Sequence, residues 1–130
     1  RIRMKKYSVA NEAQIGPAHG PYSQGIVCDH LFYTGVIGSD DTGEVVSDSV
    51  YEQTIRIFEN TEALLKEAGG SLTDIINITV YLLQMSDFDE MNRAYKEKIN
   101  ADPLPARATV AVHEMLPAVK VEMVVAAYLP

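Results

Sequence analysis

A single arginine within an apolar segment is the residue of this sequence whose placement most suggests chemistry. Arg107 lies in residues 105–112, a run of small and β-branched side chains that predicts a strand. Strand alternation puts Arg107 and Thr109 on one face and Ala108 and Val110 on the other. A guanidinium on a half-buried strand needs a partner, and its rigid fork of donors fits a carboxylate through two parallel hydrogen bonds.

Two carboxylate partners for Arg107 are open. Residues 120–126 predict another strand after a turn at Leu116-Pro117, and we interpret the two strands as a hairpin, in which Glu122 is one of the two possible partners of Arg107. Such a pair would have only a structural role, holding the hairpin together. Ion pairs of this sort are common in proteins. The other partner is the carboxylate of a small ligand.

Four further residues are candidates for a binding site. Tyr22 lies in residues 16–25, where three glycines and two prolines predict a shaped loop, and it serves either as a packing lid or as a substrate contact. Thr34 and Gly35 end a predicted strand, and a glycine there lets another group approach the backbone closely. Asn92 lies beside the apolar stripe of a predicted helix, where an amide either bonds a neighbouring segment or contacts a ligand.

Two amphipathic helices are predicted to position these residues. The first begins at Ser49, which has capping-box spacing with Glu52, and it ends at Gly69-Gly70. Its apolar face consists of Val50, Thr54, Ile57, Phe58, Thr61, Leu65 and Ala68. The second is predicted to be capped by Ser86, three residues before Asp89, and to end near Asn100, with Phe88, Met91, Tyr95 and Ile99 as its stripe.

The remaining segments predict strands. Residues 26–28 and 31–34 flank Asp29-His30 as a hairpin, and residues 75–83 predict a strand that buries Ile76, Ile78, Val80 and Leu82. The order β-β-α-β-α-β-β indicates an α+β fold with a mixed or mostly antiparallel sheet and both helices on one face. Because the last strand is apolar on both sides and no third helix covers the other face, we expect a homo-oligomer.

Composition narrows the class of protein. The 130 residues predict a single domain spanning 1–130, with residues 1–3, ahead of Met4, as an appended or unstructured segment. The net charge of −7 makes a nucleic-acid platform an unfavourable interpretation, and no apolar run has the length of a membrane span. We therefore expect a cytoplasmic protein with no membrane partner. Cys28, the one cysteine, is interpreted as a small core residue.

Several kinds of site are not predicted. The three histidines, at positions 19, 30 and 113, share no metal-ligand spacing, so neither a metal site nor a cofactor is expected. No phosphate-cradling glycine loop, dinucleotide fingerprint or Gly-x-Ser-x-Gly elbow is present. The candidates that remain are an arginine, a glutamate, a tyrosine, an asparagine and several glycines of loops and strands. This set of residue types is suited to binding a small carboxylate.

Five motifs in their order and spacing resemble the RidA (YjgF) family of reactive imine and enamine deaminases. They are Gly20-Pro21-Tyr22-Ser23-Gln24, Thr34-Gly35, residues 88–95, Pro105-Ala106-Arg107, and Leu116-Pro117 leading to Val121-Glu122. The resemblance implies a chorismate-mutase-like homotrimer with a closed β core, helices outside and active sites between subunits. It also implies hydrolysis of 2-aminoacrylate or 2-aminocrotonate to a 2-keto acid and ammonia, as control of metabolite damage.

The resemblance also assigns roles by position. Arg107 would bind the substrate carboxylate with help from the main-chain amide of Thr109, and Glu122 would hold or activate water. Tyr22 would pack on the substrate and assist proton transfer, while Thr34, Gly35 and Asn92 would complete the pocket. A carboxyl group beside an arginine favours its ionised form, so Glu122 would serve better as base than as acid unless burial offsets this.

This sequence departs from the family pattern at three positions. Val36, Thr109 and Val124 stand where relatives often carry glutamine, cysteine and an acidic residue, and these changes bear on specificity. Two other functions stay open: a regulatory module that binds a carboxylate such as 2-ketobutyrate without turnover, and an RNA-cleaving inhibitor of translation.

Overall fold

A mixed six-stranded sheet forms the frame of the protein. The computed structural model describes residues 5–130, so the interpretation of residues 1–3 lies outside it. The strands are β1 (Lys6–Val9), β2 (Gly25–Cys28), β3 (Leu31–Ile37), β4 (Ile75–Leu82), β5 (Ala106–Ala111) and β6 (Val121–Tyr128). Their order across the sheet is β1-β2-β3-β6-β4-β5, and all neighbours are antiparallel except β4 and β5.

In residues 5–130 three α-helices accompany the sheet: α1 (Glu12–Ile15), α2 (Val50–Glu67) and α3 (Phe88–Lys98). Side chains of α2 and α3 share one core with the same face of β3, β4 and β6, which confirms the predicted α+β fold with both long helices on one side. The sequence does not predict β1 and α1, because β1 buries only Val9 and α1 has a single turn. Among residues 5–130, no helix combines the length and apolar character that crossing a membrane requires.

Helix α2 has the ends that its sequence predicts. The Ser49 hydroxyl accepts a hydrogen bond from the Glu52 backbone N–H at 3.1 Å, which satisfies one of the free amides at the helix start. At the other end Gly69 adopts a φ of +83°, and the Gly70 amide donates to the Leu65 carbonyl at 2.8 Å. This arrangement closes the last turn as a Schellman motif, for which a glycine in the left-handed region is favoured.

Helix α3 begins differently from its prediction. Ser86 lies inside a 3₁₀ turn, Met85–Asp87, and does not cap the helix. This 3₁₀ turn leads directly into the helix, because the Phe88 backbone N–H donates to the Met85 carbonyl. The predicted Ser86 cap is therefore wrong, whereas the stripe is confirmed: Met91, Tyr95 and Ile99 are buried. The helix ends at Lys98, two residues before the predicted end.

The predicted hairpin of β5 and β6 is also wrong. β6 pairs with β3 on one side and β4 on the other, and β5 pairs in parallel with β4. Burial explains the order: β6 is apolar on both faces and occupies the centre, whereas the small residues of β5 are mostly exposed at the sheet edge. A second correction concerns β4, where an irregularity between Ile75 and Asn77 buries Ile75 and exposes Ile76.

The face of the sheet opposite the helices is not covered by any described segment. We call this the open face. It presents alternate residues of β3, β4 and β6, including Tyr33, Gly35, Tyr81, Glu122 and Val124. Tyr33 is 47% exposed. The structure thus agrees with the expectation of an uncovered apolar surface.

Candidate active site

Arg107 lies on the helix side of edge strand β5. It is aligned with Ile78 of β4, whose side chain points into the core beneath the helices. Its Nη1 donates to the Asn92 side-chain oxygen at 2.8 Å, and its Cζ lies 4.6 Å from the centre of the Tyr95 ring. Helix α3 therefore orients the guanidinium from two sides, through an amide and a cation–π contact.

The first of the two partners considered for Arg107, Glu122, does not pair with it within this chain. Glu122 is aligned with Tyr81 of β4, and Arg107 is aligned with Ile78, so the two side chains leave opposite faces of the sheet. Among residues 5–130, Arg107 makes no salt bridge with a carboxylate. Of the two partners considered for Arg107, the carboxylate of a ligand is the one that the structure leaves open.

A groove of about 360 Å³ lies directly beside Arg107. Its lining combines polar and apolar side chains: Asn92, Tyr95, Lys96, Leu104, Pro105 and Arg107. Burial raises the pKa of Tyr95, although the Arg107 guanidinium acts in the opposite direction. The phenol therefore stays neutral under the cation. The groove has the size and charge to admit a small organic anion.

Thr109 lies two residues beyond Arg107 on the same face of β5. Its hydroxyl oxygen is buried and has no hydrogen-bond partner among the described residues. A buried hydroxyl without a partner is energetically costly. The Thr109 hydroxyl can therefore still form a hydrogen bond with a ligand next to the guanidinium.

Glu122 lies half-buried on the open face, between Ile37 of β3 and Tyr81 of β4. Burial raises the pKa of the Glu122 carboxyl above its ordinary value of 4.5. The sequence predicts that an adjacent arginine favours the ionised form. Within this chain Arg107 is on the other face of the sheet, so desolvation determines the shift, and burial has the offsetting effect for which the sequence reasoning allowed.

Thr34 and Gly35 lie in β3, whose last residue, Ile37, is aligned with Glu122. Tyr22 lines a small cavity with Gly35 and Ile37. Tyr22 is 55% exposed, and its phenol oxygen accepts a hydrogen bond from the His19 backbone N–H at 3.1 Å. Gly35 faces free space, since a Cβ atom added to it would meet no neighbouring side chain or backbone within 4 Å. Thr34 points inward instead, and its buried hydroxyl donates to the Gln24 carbonyl at 2.6 Å. Thr34 therefore holds the Tyr22 loop rather than presenting its hydroxyl to solvent.

The candidate residues form two groups. The arginine group comprises Arg107, Asn92 and Thr109 on the helix side of the sheet edge. The glutamate group comprises Glu122 and Gly35 on the open side, together with Tyr22, which lines a small cavity with Gly35. Strand β4 separates β5 from β6, which places the two backbones about 10 Å apart. A reaction that needs both groups at one substrate cannot occur within a single protomer.

A second groove adjoins the glutamate group. Its volume is about 460 Å³, and its lining includes Ile37, the turn at Thr42-Gly43 and residues 116–119. Ile37 is the cross-strand neighbour of Glu122, so this largely apolar groove opens beside the carboxyl group.

Sequence reasoning missed His19, Gln24 and the contact of Tyr95 with Arg107. The buried Gln24 side chain accepts from the Asn11 amide and donates to the Gly16 carbonyl, which ties both ends of the loop before β2. The Gly- and Pro-rich composition of residues 16–25 indicates an ordered loop, but it does not show which side chains hold that loop in place. No sequence signal could give the Tyr95 contact, because it depends on the parallel pairing of β4 with β5.

Comparison with known proteins decides the family. Residues 13–129 match the family model described as Endoribonuclease L-PSP. The chain belongs to the RidA (YjgF) family. The resemblance found in the sequence is thereby confirmed over nearly the whole chain.

Similar proteins carry several names. A RutC family protein of Pyrococcus abyssi is 44% identical over 111 residues, which cover 84% of this chain and 87% of that protein. The human 2-iminobutanoate/2-iminopropanoate deaminase is 36% identical over 106 residues, covering 80% and 77%. The family thus includes a protein named for imine deamination.

Solved structures share the fold. RidA from the Antarctic bacterium Psychrobacter superimposes with a TM-score of 0.87 at 29% identity, covering 95% of this chain and 99% of that one. E. coli TdcF with bound serine gives a TM-score of 0.84 at 31% identity, covering 95% and 99%. The six-stranded sheet with its helices is therefore the architecture of RidA chains.

Proposed function

We propose that this protein hydrolyses reactive 2-imino acids and their enamine tautomers, such as 2-aminoacrylate and 2-aminocrotonate, to 2-keto acids and ammonia. The observation that carries the proposal is the guanidinium of Arg107, which Asn92 and Tyr95 orient although no carboxylate of the described chain binds it. An arginine held in this way is suited to the carboxylate of a substrate. The relatives named as deaminases support the same class of reaction.

We further propose a homotrimer in which each site combines the arginine group of one protomer with the glutamate group of another. The two groups leave opposite faces of the sheet, and the open face carries exposed apolar side chains that another copy would bury. Assembly would supply what one protomer lacks, a carboxylate clamp and a base at one substrate.

In this site each group has a defined role. Arg107 and the Thr109 amide hold the substrate carboxylate, which fixes the C=N carbon relative to Glu122. Ionised Glu122 takes a proton from water as the oxygen adds to that carbon, and the proton passes to the amine nitrogen of the tetrahedral adduct. Glu122 then moves the hydroxyl proton of the adduct to the same nitrogen as the C–N bond breaks, so that ammonia leaves and the C=O bond of the keto acid forms. Gly35 gives room for close approach, and Tyr22 covers the substrate.

Substitution of Arg107 tests this proposal in an assay coupled to a serine or threonine dehydratase, which releases the enamine. We expect Arg107→Ala to reduce the added rate of keto acid formation by about a hundredfold or more, because the clamp is lost. Arg107→Lys keeps the charge without the planar fork and should recover only part of the rate. Arg93→Ala is the matched control, since Arg93 is an exposed arginine paired with Glu90 on the same helix.

Full activity of Arg107→Ala, with Arg93→Ala also active, would contradict the assigned role. The serine bound in the E. coli TdcF structure favours a second candidate for this chain, carboxylate binding without turnover. Thermal stabilisation by 2-ketobutyrate that depends on Arg107, together with no rate effect of the wild-type protein on released enamines, would establish that candidate instead. The family description also names an endoribonuclease, but the net charge of −7 disfavours binding of RNA.

A further inference from the structure

The loop that carries Tyr22 is fastened to a neighbouring turn by one histidine. The His19 ring Nε2 lies 2.8 Å from the Gly43 carbonyl oxygen, and the His19 backbone N–H donates to the Tyr22 phenol oxygen at 3.1 Å. Because a carbonyl oxygen can only accept, Nε2 carries the proton of this hydrogen bond. The two bonds in series connect Gly43 to the phenol of Tyr22.

The acceptor of this chain of bonds is held rigidly. The Asp40 carboxylate accepts hydrogen bonds from the Thr42 and Glu44 amides at 2.9 and 3.1 Å, and it also accepts from the Thr42 hydroxyl at 2.7 Å. These bonds close the turn that contains Gly43. The Gly43 carbonyl is therefore a fixed point to which His19 can anchor the loop.

Loop and turn also meet at backbone contact distance. A Cβ atom on Gly43, which has a φ of +85°, would lie 2.9 Å from the His19 ring. A Cβ on Gly16, with a φ of +84°, would lie only 2.2 Å from the Gly43 nitrogen. Both positions exclude a side chain by space and by backbone conformation. This close packing restricts the position that the His19 ring can take against the turn.

We propose that His19 is a positioning residue that sets the location of the Tyr22 phenol beside Gly35 in the cavity that both residues line. The inference rests on the proposed deaminase function, since Tyr22 has no chemical task without it. The phenol oxygen accepts from the His19 backbone, which leaves its O–H free to donate to the substrate or to the attacking water. His19 and Tyr22 also line one small cavity with Gly35 and Ile37, so the fastened loop forms a wall of the site.

Three variants test His19 in the dehydratase-coupled assay. His19→Ala removes the ring bond and should lower kcat by about tenfold while KM changes little, because the carboxylate clamp is on another strand. His19→Gln places an amide N–H near the position of Nε2 and should restore most of kcat. In a Tyr22→Phe background, His19→Ala should have no further effect on kcat, since the residue acts through the phenol.

His30→Ala is the matched control. The His30 ring also bonds a backbone carbonyl, that of Leu129 at 2.9 Å, but it lies at the turn between β2 and β3, away from the candidate residues. We expect this variant to keep the wild-type kcat. Light scattering on each variant checks that the assembly is unchanged.

The outcomes separate this inference from the proposed function. If the wild-type protein does not accelerate keto acid formation, the deaminase function fails. If the wild type is active but His19→Ala keeps full kcat, only the positioning role is overturned. It is equally overturned if His19→Gln fails to recover activity or if the effects of His19→Ala and Tyr22→Phe are additive.

Discussion

Glu122 illustrates how a single side chain acquires its chemistry from burial. The fold removes water from this carboxyl group, and desolvation raises its pKa above 4.5 because the charged form loses hydration. A base must be ionised to accept a proton, so activity is present above the raised pKa and is lost as the pH falls through it. In the proposed assembled site the Arg107 guanidinium of another protomer acts in the opposite direction, and we expect desolvation to outweigh it. The acid limb of the reaction should therefore lie at a higher pH than for an exposed glutamate.

The pH profile of kcat/KM measures this expectation. Glu122→Gln should abolish the limb together with most of the activity, whereas Glu90→Gln, which alters an exposed carboxyl group paired with Arg93, should leave the profile unchanged. An acid limb at the ordinary glutamate pKa would mean that burial does not control Glu122 in the working enzyme.

At the residue scale, sequence reasoning could find the types of the reacting groups but not their neighbours. An arginine on a β-branched run already implied a partner, and the spacing to Thr109 gave their common face. The contacts with Asn92 and Tyr95 depend on which strand lies under α3, and no local pattern encodes that. For the same reason the sequence could not decide between Glu122 and a ligand carboxylate as the partner of Arg107, and within this chain Glu122 is not that partner.

At the element scale, the two predicted helix caps differ in the structure and can be compared directly. Ser49 caps α2 through the Glu52 amide, whereas Ser86 lies in the turn before α3 and caps nothing. Ser49→Ala should lower the free energy of unfolding by about 1 kcal/mol, and Ser86→Ala should have little effect. Urea denaturation of both variants checks this, and equal losses would contradict the assignment of the caps.

Local signals predicted α2 and the β2–β3 hairpin well because their determinants are close in sequence. The hairpin turn is at Asp29-His30, where Asp29 adopts a φ of +53°, a conformation that aspartate tolerates better than most residues. The position of β5 was not predictable in this way. Its partner β4 is more than twenty residues earlier in the chain, and exposure of β5 at the edge emerges only once the sheet order is known.

At the scale of the whole molecule, the open face is the surface to test for assembly. Tyr33→Asp introduces a charge there and should convert a trimer to protomers, with loss of activity, because each site would need two copies. Tyr7→Asp is the control: Tyr7 is 42% exposed but is aligned with the buried Val27, on the helix side of the sheet. Light scattering gives the mass of each variant, and a trimeric Tyr33→Asp protein would rule out this face as the interface.

The central position of β6 has a consequence for how the chain reaches its native state. Within the described sheet, β1–β3 form one half and β4–β5 the other, and β6 is the only strand that pairs with both. The two halves cannot be joined until this segment, the most C-terminal of the strands, is available. We therefore expect refolding to be limited by a late insertion step, and a nascent chain still lacking residues 121–128 to remain an open, aggregation-prone intermediate.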